Sequence, residues 1–177
     1  MRRKRCILPW VGLLVSIVLS VCCVIVKLTT EQPVVVNAEQ PVERPRDKPF
    51  IEDVPMSIEL QEQLYRASEE FGVDYHVMLA LIDRETQFQN VMGDGGESYG
   101  YCQIQPKWWY ELMVDIDATN LNDPKDNFRA ACAIMARLTY CYGTVQGALV
   151  AYNQGYYNGV PTEYSRYVMS RAERFRK

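Results

Sequence analysis

Histidine is almost missing from this chain of 177 residues: only His76 is present, and no two cysteines have the C-x-x-C spacing. Zinc sites and related metal centres need several such ligands at short spacing, so we expect no metal and no other cofactor. A serine nucleophile would have the same single histidine available as its base, which disfavours a catalytic triad as well. The chemistry of this protein must therefore depend on other side chains.

Basic residues are scarce once the N-terminus has passed. Downstream of Lys27 the chain carries 14 Lys and Arg against 22 Asp and Glu, a balance of -8. Because binding to a phosphate backbone requires a basic face, we expect no nucleic acid partner. Alternating strand patterns of useful length are also missing, whereas helical periodicity dominates from Met56 onward. These two absences predict an acidic and nearly all-α domain.

The one long hydrophobic run lies at the N-terminus. Residues 7–26 carry no charge and follow four consecutive basic residues at 2–5. A helix of that length rises ~30 Å, about the thickness of a bilayer core, and the basic cluster predicts a cytoplasmic N-terminus. We expect residues 1–27 to be a single-pass membrane anchor with the rest of the chain outside the cytoplasm. Cleavage near Ala38, which would secrete the domain, and lipidation at Cys22 are the alternatives.

A proline-rich linker separates this segment from the domain. Five of the nine prolines lie between Pro33 and Pro55, and the charges of residues 28–55 follow no apolar periodicity. Such a composition favours extended chain over a packed core. We therefore place the domain in residues 56–177.

Capping residues and apolar stripes predict five helices in this domain. A Ser, Thr or Asp stands where each helix would begin, and glycines follow three of them. The predicted helices run from Ser57 to Gly72, over 75–86 after Asp74, from Asp123 to Gly143, from Thr144 to about Asn153, and from Thr162 to Phe175. A glycine-rich stretch, residues 93–100, lies in the longest interval between them.

Glu85 is the acidic residue whose helical position calls for an explanation. It stands at i+7 of a stripe that should enter the core. The apolar members of that stripe are Met78, Leu81 and Ile82. Burial should raise the pKa of this carboxyl group, which is what a general acid near neutral pH requires. Its neighbours Asp83 and Arg84 point elsewhere and are expected to be ordinary solvated charges.

Five motifs in order carry a family resemblance. They are ETQF at 85–88, GDGGESYGYCQIQP at 93–106, DPKDNF at 123–128, AYNQG at 151–155 and EYSRYV at 163–168. The chain here resembles the soluble lytic transglycosylase (SLT) domain of the lysozyme superfamily, which has E-S-x-F, G-L-M-Q-I-x-P, D-P-x-x-N-I, A-Y-N-A-G and E-T-x-x-Y-V. The resemblance runs from about Ser57 to Phe175 and implies an all-α, lysozyme-like fold behind the anchor and linker.

The resemblance also implies roles for single residues. Glu85 matches the family's catalytic acid, and Tyr167 matches a tyrosine that lies near that acid. The residues that it places at the sugar substrate are Gln103, Tyr152, Asn153, Tyr167, Ser98 and Tyr101. Three departures stand out: Thr86 for serine, Tyr101 with Cys102 for Leu-Met, and Gln154 for a small residue. None removes a group that the chemistry needs.

The activity that the resemblance implies is cleavage of peptidoglycan without water. The family breaks the β-1,4 bond between N-acetylmuramic acid and N-acetylglucosamine and leaves 1,6-anhydro ends. Glu85 would act first as acid and then as base, so a second carboxylate is unnecessary. We expect a monomer that acts on glycan strands, is held at the membrane by residues 7–26, and is suited to work with cell-envelope machinery.

Two other functions stay open at this point. Residues 93–100 also resemble the G-D-R-G-N-G-F-G run of goose-type lysozymes, in which an Asp helps to position the attacking water. Asp94 matches that Asp and is the candidate second carboxylate of an inverting muramidase, which needs ~6.5–9.5 Å between the two carboxyl groups. The third hypothesis is a peptidoglycan-binding module without catalysis, although a pure binder gains nothing from a buried acid such as Glu85.

Cysteines and aromatic residues complete the expectations. Cys102, Cys132 and Cys141 fall in the domain. The last two stand nine residues apart on one predicted helix, ~13 Å in rise, too far to bridge. A disulfide to Cys102 remains open, but we expect three buried thiols that pack as small hydrophobes. For the aromatic cluster at 108–110 we favour packing in the core and cleft wall over direct contact with sugar.

Overall fold

The computed structural model describes Phe50 and residues 53–177. The anchor predicted in residues 1–27 and most of the linker lie outside these residues. Among the helices of the described part, none is long and apolar enough to cross a membrane. The fold below is that of the compact unit Lys48–Lys177.

Helices dominate the described part of the chain, as the sequence predicts. In chain order the elements are α1 (Ile58–Phe71), α2 (Tyr75–Thr86), β1 (Met92–Gly93), a 3-10 turn (Asp94–Gly96), β2 (Ser98–Tyr99), α3 (Pro106–Asp115), α4 (Pro124–Tyr142), α5 (Val145–Gln154) and α6 (Glu163–Phe175). The mostly helical fold agrees with an all-α, lysozyme-like domain.

All five predicted N-terminal caps are confirmed. The side chains of Ser57, Asp74, Asp123, Thr144 and Thr162 each accept a hydrogen bond from a backbone N–H in the first turn of their helix. Such a bond satisfies one of the donors that a helix start leaves unpaired. Left-handed glycines end α1, α4 and α5, so the boundaries of these helices follow from local chemistry.

Helix α3 is the helix that the patterns do not predict. Gln105 precedes it without a side-chain capping bond, and its first residue is Pro106. Its aromatic residues do not form a buried stripe, since Trp108 is 71% exposed and Tyr110 is 65% exposed. The expected packing is therefore wrong for these two rings, whereas Trp109 is half-buried and packs against the core.

A short β-hairpin occupies the glycine-rich stretch. We call residues 92–105 the hairpin, because β1 and β2 pair antiparallel there, Met92 opposite Tyr99. An isolated bridge between Tyr99 and Ile104 folds the following segment back onto β2. With strands of two residues each, the domain remains nearly all α.

The core forms around α4. This helix lies against α1, α3 and α5, while α2 lies against α1 and α6. The largest side chains that are fully buried include Phe128, Leu64, Met78, Leu81, Ile82, Ile134 and Leu149. The predicted stripe of α2 thus enters the core, and this packing fixes the helix that carries Glu85.

Two of the three domain cysteines are buried free thiols, as expected. Cys102 and Cys132 lie in the core, and burial raises the pKa of both. The expectation is wrong for Cys141, which lies near the end of α4 and is half-buried. Amphipathic packing explains the difference, because the last turn of α4 extends beyond the fully buried residues.

Candidate active site

Glu85 lies in the last turn of α2, at the end of the stripe that enters the core. Its side chain is half-buried. Directly after the helix, Gln87 and Phe88 have positive φ angles of 52° and 64°, which turn the chain away from the helix axis. Such conformations are rare in residues other than glycine and cluster at functional sites. Glu85 is thus held on a rigid helix at a sharp turn.

The pKa of Glu85 is raised above its ordinary value. Burial is the largest cause, because the ionised form loses its hydration. The hydrogen bond from Tyr164 and the charge of Arg84 act in the opposite direction, and the charge of Asp94 adds to the increase. The net shift favours the protonated carboxyl group, the form that can donate a proton.

Tyr164 is the partner of this carboxyl group. It lies at the start of α6, is 7% exposed, and donates its hydroxyl proton to Glu85 Oε1 at 2.5 Å. Burial and the negative charge nearby raise the pKa of Tyr164 well above its ordinary range, so the hydroxyl stays a donor. The cap at Thr162 fixes the turn from which this tyrosine projects.

Tyr167 lies one turn further along α6 and makes a different contact. Its hydroxyl donates to Asp83 Oδ2 at 3.0 Å, and the Arg84 guanidinium lies 5.3 Å from its ring centroid. The contact between the EYSRYV motif at 163–168 and Glu85 is therefore made by Tyr164, which the sequence patterns did not identify. Both tyrosines share one side of α6, three residues apart, and only the packing of α2 distinguishes them.

Asp83 is not the solvated charge that we expected. Its side chain is 13% exposed and accepts hydrogen bonds from Arg171 Nε at 2.7 Å and from Tyr167. The reason is that α6 packs along α2 and brings its own polar residues onto this face. Asp83 and Arg171 thus form a partly buried ion pair that joins the two helices close to Glu85.

Tyr152 and Asn153 lie at the end of α5 in different surroundings. The Tyr152 hydroxyl donates to the backbone oxygen of Cys102 at 2.7 Å. Burial raises the pKa of Tyr152 well above its ordinary range, and the negative charge of Glu85 contributes to this increase. Asn153 is exposed. Of this pair, Tyr152 therefore supports the hairpin, and Asn153 is accessible to a ligand.

The hydroxyl of Thr86 joins α2 to the hairpin. It donates to the backbone oxygen of Ile82, one turn back, at 3.2 Å and lies 2.9 Å from the backbone oxygen of Tyr101, also within hydrogen-bond distance. The replacement of serine by threonine thus keeps the hydroxyl in use. The ring of Tyr101 is buried and packs against Phe128 at a centroid distance of 5.3 Å. The structure therefore places Tyr101 in the core beneath the hairpin.

Gln103 is directed into the hairpin itself. Its Nε2 donates to the backbone oxygens of Val91 at 3.0 Å and Gly100 at 2.9 Å. Its Oε1 lies 2.0 Å from the point where a Cβ on residue 93 would be, so an alanine at position 93 would have to displace this amide. Both amide protons are occupied in bonds that hold the loop.

Ser98 and Asp94 bond each other. The Ser98 hydroxyl, which is buried, donates to Asp94 Oδ2 at 2.5 Å. Gln105 Nε2 donates to the same carboxylate oxygen at 3.1 Å and also lies 3.1 Å from Ser98 Oγ. Asp94 itself is exposed. The structure places Ser98 inside the hairpin, away from a position that a sugar could reach.

Asn127 is a second site residue that the sequence patterns did not identify. It is fully buried in the first turn of α4, and its Oδ1 accepts a hydrogen bond from the backbone N–H of Cys102 at 3.0 Å. Its Nδ2 donates to the oxygens of Tyr99 at 2.9 Å and Leu121 at 3.1 Å. The asparagine of D-P-x-x-N was the available signal, since a polar residue in an apolar helical stripe needs buried partners.

The arrangement as a whole is a carboxyl group between two rigid helices and a fixed loop. It brings together Glu85, Tyr164 and Tyr152, and it keeps Gln103, Ser98 and Tyr101 as supports of the loop. A protonated, half-buried acid with a neutral donor behind it can perform general acid and then general base chemistry.

The family model described as the transglycosylase SLT domain matches residues 63–171, which is more than half of the chain. The chain therefore belongs to the transglycosylase SLT domain family.

Proposed function

We propose that this protein is a peptidoglycan lytic transglycosylase in which Glu85 is the catalytic acid and base. It would cleave the bond between N-acetylmuramic acid and N-acetylglucosamine and leave 1,6-anhydro ends. Family membership supports the reaction class. The observation that carries the assignment of Glu85 is its half-buried carboxyl group with a raised pKa and a buried tyrosine hydroxyl on one oxygen.

The first step uses the oxygen of Glu85 that faces away from Tyr164. Because Tyr164 donates to Oε1, Oε2 is the atom available to hold the proton. Transfer of this proton to the bridging oxygen accompanies cleavage of the C1–O bond, and the leaving sugar departs as an alcohol. The negative charge that develops on Glu85 is stabilised by the hydrogen bond from Tyr164, since bonds to charged acceptors are the strong ones.

The second step restores the acid. The carboxylate of Glu85 takes the proton from the C6 hydroxyl of the muramic acid, and O6 forms a bond to C1. One bond to C1 has broken and one has formed, the proton is back on Glu85, and no water has been consumed. One carboxyl group thus serves in both steps, which is why the mechanism needs no second one.

The accessible amide at the substrate is that of Asn153. Its exposure at the end of α5 suits a hydrogen bond to an N-acetyl or hydroxyl group of the sugar. Both amide protons of Gln103 are bound to backbone oxygens, those of Val91 and Gly100, so its contribution to substrate binding would be indirect. Tyr167, at the rim of the α2–α6 contact, is partly exposed and offers a ring face beside Arg84.

An inverting hydrolase is the second candidate, and Asp94 is the observation that favours it. The negative charge of the Asp94 carboxylate contributes to the raised pKa of Glu85. It is exposed, but one of its oxygens already accepts hydrogen bonds from Ser98 and Gln105. A carboxylate fixed in this way would have to activate water with its other oxygen.

Digestion of peptidoglycan sacculi with the full-length chain separates these functions. Mass analysis should find muropeptides with anhydro ends, one water lighter than the hydrolysis products. Reducing ends would contradict the transglycosylase and support the hydrolase. Sacculus binding without any products would support a binding module.

The matched control is Glu85→Gln, which keeps the size of the side chain and removes the proton. We expect the cleavage rate to fall by about 10²–10⁴-fold with the thermal unfolding temperature retained. Residual cleavage within a factor of about five of the wild type would remove Glu85 from its role.

We also propose that residues 7–26 hold the domain on the outer side of the cytoplasmic membrane. The uncharged run and the basic cluster before it support this arrangement. In cell fractionation, the intact chain should remain with the membrane fraction. Protease added to intact cells from which the wall and any outer membrane have been removed should degrade the domain. Release into the medium would instead indicate cleavage near Ala38, and full protection would contradict export.

A further inference from the structure

Trp108 is an exposed aromatic ring whose position the proposed mechanism does not use. It lies in the first turn of α3 and is 71% exposed, the second most exposed large hydrophobic residue of the described part after Tyr140. An isolated exposed aromatic is common on protein surfaces. Trp108 differs because its ring is held by specific contacts and because those contacts continue to the hairpin.

Two contacts fix the indole. Its Nε1–H donates to Gln105 Oε1 at 3.1 Å, and the ammonium group of Lys107 lies 5.5 Å from its ring centroid. Lys107 is itself paired with Glu97 of the hairpin. An exposed ring that is ordered in advance loses less entropy when a flat ligand binds to it.

The hydrogen bonds continue from Trp108 to the surroundings of the acid. The side-chain amide of Gln105 accepts from Trp108 at one end and donates to Asp94 Oδ2 at 3.1 Å at the other. The hairpin that contains Asp94 and Gln105 is linked in turn to the residue after Glu85, because Thr86 Oγ1 lies within hydrogen-bond distance of the backbone oxygen of Tyr101, at 2.9 Å. The ring therefore belongs to the same rim as the acid, and not to a remote surface.

We propose that Trp108 is a stacking platform for a pyranose ring of the glycan strand, a binding subsite beside the cleavage point. The ligand class is a β-1,4-linked N-acetylhexosamine chain, whose C–H groups would lie on the indole face. This inference rests on the proposed function, because it assumes that a glycan occupies the rim next to Glu85. The hydrogen bonds of Gln105 to Trp108 and Asp94 would then hold the platform in a fixed position relative to Glu85.

Binding of a sugar oligomer to an inactive protein tests this platform directly. The full-length Glu85→Gln variant is titrated with the β-1,4-linked hexamer of N-acetylglucosamine by calorimetry, and the dissociation constant is compared with that of Glu85→Gln/Trp108→Ala. We expect about five- to tenfold weaker binding after removal of the ring. Trp108→Phe, which keeps a ring but not the N–H donor, should fall between the two.

Tyr110→Ala in the same background is the matched control. Tyr110 is on the same helix and is similarly exposed, but it lies two residues on and projects from another side. Its removal should change hexamer affinity by less than about twofold. Equal losses for Trp108→Ala and Tyr110→Ala, no loss for Trp108→Ala, or no hexamer binding by Glu85→Gln would each overturn the platform.

Failure of the platform can be told apart from failure of the proposed function. If wild-type protein releases anhydro muropeptides and Trp108→Ala has unchanged affinity, the platform alone is wrong. If no anhydro products form while Trp108→Ala weakens hexamer binding, the platform stands and the reaction is wrong. Loss of self-association in Trp108→Ala, measured by sedimentation with unchanged hexamer affinity, would make the ring a protein contact and would also overturn the sugar platform.

Discussion

Two regions meet at Glu85, and they use their polar side chains in opposite ways. One is the seam, by which we mean the contact of α2 with α6 that contains Asp83, Glu85, Tyr164, Tyr167 and Arg171. The other is the hairpin, residues 92–105. Side chains of the seam bond across to another helix, whereas polar side chains of the hairpin mostly bond back to the hairpin itself.

This difference suggests separate roles for the two regions: the seam sets the properties of Glu85, and the hairpin uses its side chains to hold its own fold. The helices of the seam have their own backbone hydrogen bonds, so their side chains are available to set the position and the pKa of Glu85. The hairpin has strands of two residues and few ladder bonds, so Gln103 and Ser98 supply what its backbone does not. We therefore expect changes in the hairpin to lower stability and changes in the seam to lower activity.

The largest expected effect is that of Gly100→Ala in the hairpin. Gly100 has a φ of 73°, and a Cβ there would lie 2.1 Å from Asn127 Nδ2 and 2.8 Å from the backbone oxygen of Leu121. Because a backbone atom cannot move aside cheaply, we expect a loss of about 3 kcal/mol or more in the free energy of unfolding, measured by chemical denaturation of the full-length chain.

Gly95→Ala is the control for the clash. Gly95 also has a positive φ, 67°, but nothing lies within 4 Å of its added Cβ. Only the cost of the left-handed conformation remains, about 1–2 kcal/mol. Equal losses for the two variants would show that packing against Asn127 does not hold the hairpin.

The second effect concerns the seam and should appear in activity. Tyr164→Phe removes the hydroxyl that donates to Glu85 Oε1 and leaves the buried ring in place. Because a hydrogen bond to a charged group contributes about 1.5–3 kcal/mol, the turnover number should fall about 10- to 100-fold. The release of soluble muropeptides from sacculi over time measures it.

Tyr167→Phe is the matched variant one turn away. It removes a hydroxyl that donates to Asp83, which keeps its bond from Arg171. We expect less than about a threefold change in turnover, since the Glu85 oxygen keeps its donor. A larger loss for Tyr167→Phe than for Tyr164→Phe would reverse our assignment of the two tyrosines.

Sequence patterns predicted the helices better than the site because caps and stripes are local. Asp74 and Thr162 are close in sequence to the N–H groups that they cap, so α2 and α6 could be placed correctly. The half-buried position of Glu85 followed from the i+7 position in the same stripe.

The contacts across the molecule could not be predicted in this way. Tyr164 and Tyr167 are equivalent by helical spacing, and the packing of α6 against α2 decides which one contacts Glu85. The hairpin depends on positive φ angles at Asp94 and Gln103, which are not glycines, so no local rule indicated its path. The amide of Gln103 could not be assigned to the loop until that path was known.

The third effect is smaller and tests how the hairpin is held. In Gly93→Ala the new Cβ would displace the Gln103 amide, which then loses its bonds to Val91 and Gly100. The free energy of unfolding should fall by about 1–3 kcal/mol. In a Gln103→Ala background the obstacle is gone, so the same change should be nearly neutral. Additive losses in this double-mutant cycle would contradict the contact.

The smallest effect is the pH dependence of stability that Glu85 imposes on the seam. Since its pKa is higher in the folded chain, the folded state holds more protons than the unfolded one between the ordinary and the raised pKa. The free energy of unfolding therefore falls as pH rises through that window. Glu85→Gln should lack this fall, and Tyr164→Phe should extend it to higher pH, because the lost hydrogen bond had lowered the pKa. Denaturation midpoints across the window measure both, and a fall that persists in Glu85→Gln would assign the titration to another group.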